Sequence, residues 1–327
     1  MNAIDVLQLP ELRPSLERLE VLLARSAGAD DPFLTEVAGH LISAGGKRLR
    51  PCLTIASALA GGGEVTEEVL LGGVAVELVH LASLYHDDVM DEATARRGVP
   101  SVNARWGNNV AVVSGDFLLA RAAGIAARLG TEVAVLLADT LAALCEGQVI
   151  ECQALFDVER TEEAYFAAVR GKTAALMATS CRIGAIVAGH GPDETEALTR
   201  YGMSFGMAFQ VLDDVLDVVG DEEEIGKLTG QDLAEGIYTL PALRALTDRT
   251  IGPELRGLLG NRLDDADRAK ARSMVASTKG VVAAIDSARE FMASAAAEVE
   301  TMPCPDVGAA LARLSAEMSG SVIVPAA

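Results

Sequence analysis

The tightest constraint on this chain is a repeated acidic spacing. Asp87-Asp88-Val89-Met90-Asp91 and Asp213-Asp214-Val215-Leu216-Asp217 each lie inside apolar, helix-patterned sequence. On an α-helix, positions four apart sit above one another on one face, so Asp87 and Asp91 project together, as do Asp213 and Asp217. Like charges at that spacing destabilise a helix, and carboxylates are not buried without a counter-charge. A fold that keeps both motifs must therefore bring cations to them. Oxygen-only ligands suit Mg²⁺ far better than Zn²⁺ or Cu²⁺, and Mg²⁺ retains water and phosphate oxygens as co-ligands. Two facing carboxylate claws read as a site that holds a polyphosphate ester through metal ions.

The flanking sequence sets the fold class. Runs of Ala, Leu, Val and Met at three-to-four spacing are broken only briefly, at Gly61-Gly62-Gly63, Gly98-Val99-Pro100, Gly191-Pro192 and Gly252-Pro253. Alternating β patterns with turn dipeptides are absent, and the 4% aromatic content with abundant Ala suits close helix packing. These patterns predict an all-α helical bundle around a central cavity, residues 1–327 forming one domain with an acidic motif in each half. One helix is predicted from about Glu68 into the first motif, interrupted by Glu77, His80, Ser83 and Tyr85. A second runs from Tyr201 through the second motif, with Gln210 one turn before Asp214, and stops at Gly220.

Half of the 327 residues are hydrophobic, enough for a substantial core. No apolar run reaches the roughly 20 residues that cross a bilayer, so no integral membrane segment is expected. Met1 to Pro10 lacks the basic start and apolar run of a secretory signal. Five cysteines without a CxxC pair argue against a disulfide framework or structural zinc and favour a reducing cytoplasm.

With 27 basic against 47 acidic residues, the formal charge of −20 argues against nucleic acid or an anionic membrane surface as the main partner. The basic residues nonetheless form compact groups: Gly45-Gly46-Lys47-Arg48-Leu49-Arg50-Pro51, Arg96-Arg97, and the single residues Lys172 and Lys227. Arginine offers a planar fork for phosphate oxygens, and Lys47 and Arg50 at three-residue spacing share a helical face. A second, arginine-held diphosphate beside the metal-held one is the natural reading.

These pieces, in order, are GGKRLRP (45–51), ELVHLASLYHDDVMDEATARRGVPSVN (77–103), GDFLLARA (115–122), KTAAL (172–176), FQVLDDVLDVVGD (209–221) and GKLTGQDLAEGIYTLP (226–241). From about residue 30 onward the chain closely resembles the trans-isoprenyl diphosphate synthases, or polyprenyl synthetases. The resemblance implies that Asp87, Asp91 and Asp213, with Asp88, Asp214 and Asp217 as direct or water-mediated supports, hold two to three Mg²⁺ ions that grip an allylic diphosphate. It implies that Arg96, Lys172 and Lys227 neutralise that diphosphate, and that Lys47, Arg50, His80 and Arg97 bind isopentenyl diphosphate. Thr173 and Gln210 would line the reacting centre. Asp87, Asp88, Asp91, Asp213, Asp214, Lys172 and Lys227 would thus carry the catalysis.

The residues four and five before the first aspartate, Ser83 and Ala82, are small. In the family these positions form the upper wall of the elongation tunnel, so a long-chain polyprenyl product is implied, with a geranylgeranyl or farnesyl product as the alternative. A homodimer is implied too, and the apolar segment Val6 to Leu23 is expected to contribute to its interface. Two positions depart from the family pattern: Ile237 stands where a lysine is usual, and Gly147-Gln148 replaces the commoner Gly-Glu. Three rivals fit less well. An HD-type phosphohydrolase, suggested by His86-Asp87, needs more metal-binding histidines than a chain with four offers. A class I terpene cyclase has no use for Lys47, Arg50 and Arg97. A non-catalytic subunit of a heteromeric prenyl synthase would have eroded acidic motifs, and both are intact.

Overall fold

The computed structural model describes residues 3–221 and 228–320. Two N-terminal helices, α1 (Ala3–Leu7) and α2 (Leu12–Ser26), lie against the core of the same chain. In α2, Leu12, Leu16, Leu19 and Leu23 recur at helical spacing and all four are buried in that core. These four leucines of the Val6 to Leu23 segment are covered within one chain, while Val21 stands 60% exposed.

Next come α3 (Leu49–Ala60) and α4 (Glu67–Met90), which pack on each other. The Thr66 hydroxyl accepts from the Val69 N–H at 3.3 Å, and Glu67 and Glu68 occupy the first turn, all suited to the positive end of the helix dipole. Side chains around the whole circumference of α4 are buried, which makes it a core helix rather than an amphipathic one. A two-residue hairpin follows, β1 (Ala95–Arg96) paired antiparallel with β2 (Val99–Pro100). It is the sole sheet among the described residues, so the all-α reading holds apart from it. Its turn residues Arg97 and Gly98 both have positive φ, 54° and 76°, as a type I′ turn requires.

Helices α5 (Asn108–Leu129) and α6 (Thr131–Gln153) pack side by side. Then α7 (Glu162–Val169), a π-helical turn at Arg170–Ala174 and α8 (Ala175–Val187) form a near-continuous rod. The second central helix, α9 (Pro192–Val219), starts on a proline with Asp193 and Glu194 in its first turn, and packs on α8 and on α11 (Gly280–Glu298). Between them lies the short α10 (Gln231–Glu235).

By length and composition α4, α5 and α6 could each cross a membrane, which corrects the expectation that no segment would qualify. Lone charges such as Asp139 interrupt these apolar runs without ending the helices. The apolar window of α4 is 72% buried and belongs to the core, whereas those of α5 and α6 are 39% and 22% buried. Val112, Val113, Val135 and Val149 accordingly stand exposed on α5 and α6.

Both central helices finish at their acidic motif. Asp87 and Asp88 fall in the last turn of α4 with Asp91 directly after it, and Asp213, Asp214 and Asp217 fall in the last two turns of α9. Neither helix has a basic residue in its last turn. A helix C-terminus already carries partial negative charge, so carboxylates placed there intensify the demand for cations.

Candidate active site

The ends of α4 and α9 open into one cavity of about 1080 Å³. Asp87 and Asp91 line it from the first motif, Asp213 and Asp214 from the second. Burial, the largest effect, pushes the Asp87 carboxyl up to about 6, with Lys172 opposing and Asp91 adding to the rise. Asp91 is raised for the same first reason. Carboxylates held above their ordinary range are short of positive charge, and their oxygen-only chemistry fits a hard divalent cation. Among the described residues no three His, Cys, Asp or Glu side chains converge closely enough to hold an ion unaided. The remaining coordination then falls to water and substrate oxygens.

Asp88 and Asp217 stand behind the cavity wall, each held by the scaffold through its own contacts. Asp88 is fully buried, and its Oδ1 accepts from Arg96 Nε at 2.8 Å and Nη2 at 2.6 Å. The Asn103 amide donates to the carbonyls of Asp88 and Ala93 at 2.9 and 3.0 Å, fixing the turn that follows. Asp217 is 3% exposed; its carboxylate accepts from the Asp232 N–H at 3.2 Å and its carbonyl from the Gly230 N–H at 2.7 Å. Helical spacing places Asp217 on the face of Asp213, but the tertiary fold claims it for support.

Asp214 is held by two neutral donors. Tyr165 OH donates to its Oδ2 at 2.5 Å and Gln210 Nε2 to its Oδ1 at 2.8 Å, while Thr173 Oγ1 donates to Gln210 Oε1 at 2.8 Å. Burial raises the Asp214 carboxyl, and these hydrogen bonds work against the rise. Thr173 and Lys172 belong to the π-helical turn, a device that recurs at functional sites. Lys172 forms an ion pair with Glu151. Burial works to lower the Lys172 ammonium, but Glu151, Asp87 and Asp91 together hold it above its usual range. Gly147 makes this arrangement possible: a Cβ there would lie 2.5 Å from the Lys172 nitrogen and 2.9 Å from the Ala168 carbonyl oxygen. The Gly147-Gln148 departure thus keeps the close approach of α6 to the π turn, with Gln148 on the cavity wall.

Other basic residues line the same cavity. Lys47 is exposed at the rim, and Arg50, His80 and Arg97 line the cavity beside it. Arg50 Nε is buried without a hydrogen-bond partner, and burial, reinforced by Arg97 and opposed by Glu77, lowers its guanidinium to about 10. Burial and then Arg50, Arg97, Arg48 and Arg96 hold His80 well below its usual range. Arg50 and Arg97, which have no ion pair among the described residues, together with exposed Lys47 make a receptor for a multivalent anion, while Arg48 and Arg96 are held by Glu77, Glu20 and Asp88. Arg97 is tethered through Nη1 to the carbonyls of Gly45 and Leu41, which the hairpin turn allows.

Of the chain-length pair, Ser83 lines the cavity one turn below Asp87, with Val79 a turn deeper. Ala82, next to Ser83 on α4, is fully buried. Lys227 lies outside the described residues. Sequence reasoning missed Tyr165, Glu151 and Arg160, all on the cavity wall. It also passed over Arg48, which is 6% exposed between Glu77 at 2.9 Å and Glu20 at 2.5 Å and anchors the 45–51 segment. The polar interruption at Glu77 in an apolar helix was the signal for that buried pair.

Residues 31–276 match the polyprenyl synthetase family profile. The chain is 40% identical over 296 residues to the nonaprenyl diphosphate synthase of Mycobacterium tuberculosis strain H37Rv, covering 89% of this chain and 88% of that one. It is 37% identical to heptaprenyl diphosphate synthase component 2 of Geobacillus stearothermophilus, over 83% and 84% of the two chains. Its fold superposes with a TM-score of 0.91 on a polyprenyl synthase from Caulobacter crescentus complexed with calcium and isoprenyl diphosphate, at 32% identity and 97% coverage of both chains. The chain belongs to the polyprenyl synthetase family.

Proposed function

We propose that the protein is a long-chain trans-polyprenyl diphosphate synthase, a prenyltransferase that condenses isopentenyl diphosphate head-to-tail onto an allylic diphosphate primer. The observation that carries this is the shared cavity: the carboxylates of both claws, a group of arginines and a set of apolar side chains all line one space. Mg²⁺ is the proposed metal, held by Asp87, Asp91, Asp213 and Asp214. Bound there, it supplies charge that stabilises the departing diphosphate as the allylic C–O bond breaks.

The residues of this chain perform the rest. Lys172 and Arg96 place positive charge beside the claws, and the Tyr165–Asp214–Gln210–Thr173 chain fixes the second claw and the reacting centre. Lys47, Arg50 and Arg97 hold the isopentenyl diphosphate, with neutral His80 among them. Leu119, Leu141, Leu144, Met177 and Phe209 exclude water from the allylic cation before the isopentenyl double bond attacks it and a proton leaves with the diphosphate. Ser83 and Val79 leave room for a lengthening tail below Asp87.

A homodimer is proposed through the open apolar faces of α5 and α6, where a second copy would cover Val113 and Val135. Five free cysteines suit the reducing cytoplasm as its location. A second reading, activity only with a partner subunit, draws on the relative named as a component 2. Incubating the purified chain with Mg²⁺, an allylic diphosphate and labelled isopentenyl diphosphate separates the readings. A ladder of products ending at a long prenol supports the proposal, and no Mg²⁺-dependent incorporation with any primer favours the partner-requiring subunit.

A further inference from the structure

Arg160 sits in the loop between α6 and α7, is 7% exposed and lines the cavity wall. Arg48, Arg96 and Lys172 each have a carboxylate partner, whereas Arg160, like Arg50 and Arg97 of the basic group, has no ion pair among the described residues. Its Nη1 donates to the Tyr238 carbonyl at 3.2 Å, its guanidinium lies 5.6 Å from the Tyr165 ring centroid, and its Nε is buried without a hydrogen-bond partner. A buried guanidinium with no counter-ion is costly unless an anion comes to it.

The position of this loop is fixed against the segment that carries Ile237. The Phe156 N–H donates to the Gly236 carbonyl at 2.8 Å, and Phe156 holds a φ of +62°, a conformation bulky residues rarely accept. Gly236 has φ +81°, and a Cβ on it would fall 2.3 Å from the Phe156 ring. The two residues clamp the loops together and set Arg160 on the carbonyl next to Ile237, whose side chain lines the same cavity. Tyr165 links Arg160 to Asp214 of the second claw.

We propose that Arg160 binds the diphosphate held at the second claw, supplying from the neighbouring loop the positive charge that Ile237 lacks. The inference rests on the cavity being an allylic diphosphate site. Removing a charge-assisted contact of this kind weakens binding by about ten- to a hundredfold. Arg160→Gln is therefore expected to raise KM for the allylic diphosphate by about that factor. KM for isopentenyl diphosphate, held on the arginine-rich wall, stays within about twofold. Adding Ile237→Lys to that variant restores most of the loss. A purely structural arginine would not be rescued by a lysine at another position. Unchanged allylic KM in Arg160→Gln, or a raised KM that Ile237→Lys leaves as it is, overturns the proposal.

Should Arg160→Gln fail to melt cooperatively, Ile237→Lys alone decides. With Mg²⁺ and inorganic pyrophosphate as the probe, it is expected to show a larger melting-temperature increase than the parent chain, and an equal increase overturns the proposal. The pyrophosphate measurement does not depend on turnover. A parent chain that incorporates no isopentenyl units would strike the underlying functional reading and leave this binding result standing.

Discussion

The two acidic motifs have the same spacing and different fates. At the end of α4, Asp87 and Asp91 face the cavity while Asp88 turns inward to a charged partner, Arg96. At the end of α9, Asp213 and Asp214 face the cavity while Asp217 accepts from the Gly230 and Asp232 N–H groups, and the donors on Asp214 are neutral. One claw is braced by an ion pair and the other by a tyrosine and an amide. Each gives two carboxylates to the site and keeps one for its own scaffold. Repeated spacing therefore reports a repeated need for cations, while the roles within each repeat are set by what packs around it.

The sharpest way to break this comparison is to remove a cavity-facing carboxylate from each claw. Asp87→Ala and Asp213→Ala should each lower kcat/KM by about a thousandfold or more, since each removes a group that aligns charge on the leaving diphosphate. Steady-state incorporation of labelled isopentenyl diphosphate checks it. Asp88→Asn and Asp217→Asn should lose far less turnover and instead destabilise the fold by about 1–3 kcal/mol, read by denaturant melts, because buried donors lose a charged acceptor. Equal kinetic losses at all four positions would erase the distinction between ligand and scaffold.

Tyr165→Phe tests the neutral brace on the second claw. Loss of its hydrogen bond to a buried carboxylate should cost about tenfold in kcat with the fold retained. Ser83→Tyr, below the first claw, should shorten the product seen by chromatography of the dephosphorylated prenols. Ala82→Tyr should leave product length alone and destabilise by about 1–3 kcal/mol through overpacking.

The smallest effect lies at His80, two turns before Asp87 on α4. Its folded-state value is depressed, so its contribution to stability is present above the unfolded-state pKa of about 6.5 and is lost as pH falls below it. The melting temperature of His80→Gln should accordingly fall less between pH 7 and pH 5.5 than that of the parent chain.

Much of this was legible in the sequence because helical periodicity and charge demand are local. The two central helices and the pairing of Asp87 with Asp91 follow from spacing and residue type, whereas Lys172, Thr173 and Gln210 were reached only through the resemblance to the family. The backbone contacts of Gly230 and Asp232 over Asp217, and the burial of Ala82 beside cavity-lining Ser83, are tertiary features with no periodic signature. Tyr165 and Arg160 gave no local signal: an apolar run with a tyrosine reads as core, and an arginine in a loop reads as surface. The stripe of α2 was legible as an apolar face, but periodicity does not report what covers it.

The most direct test of two claws acting as one grip is a double-mutant cycle on ligand-dependent melting. Inorganic pyrophosphate with Mg²⁺ would be titrated against the parent chain, Asp87→Ala, Asp213→Ala and the double variant. If both claws hold one diphosphate through shared ions, each single variant should lose nearly all of the stabilisation and the double variant should lose no more. Independent, additive losses from the two single variants would contradict a shared grip.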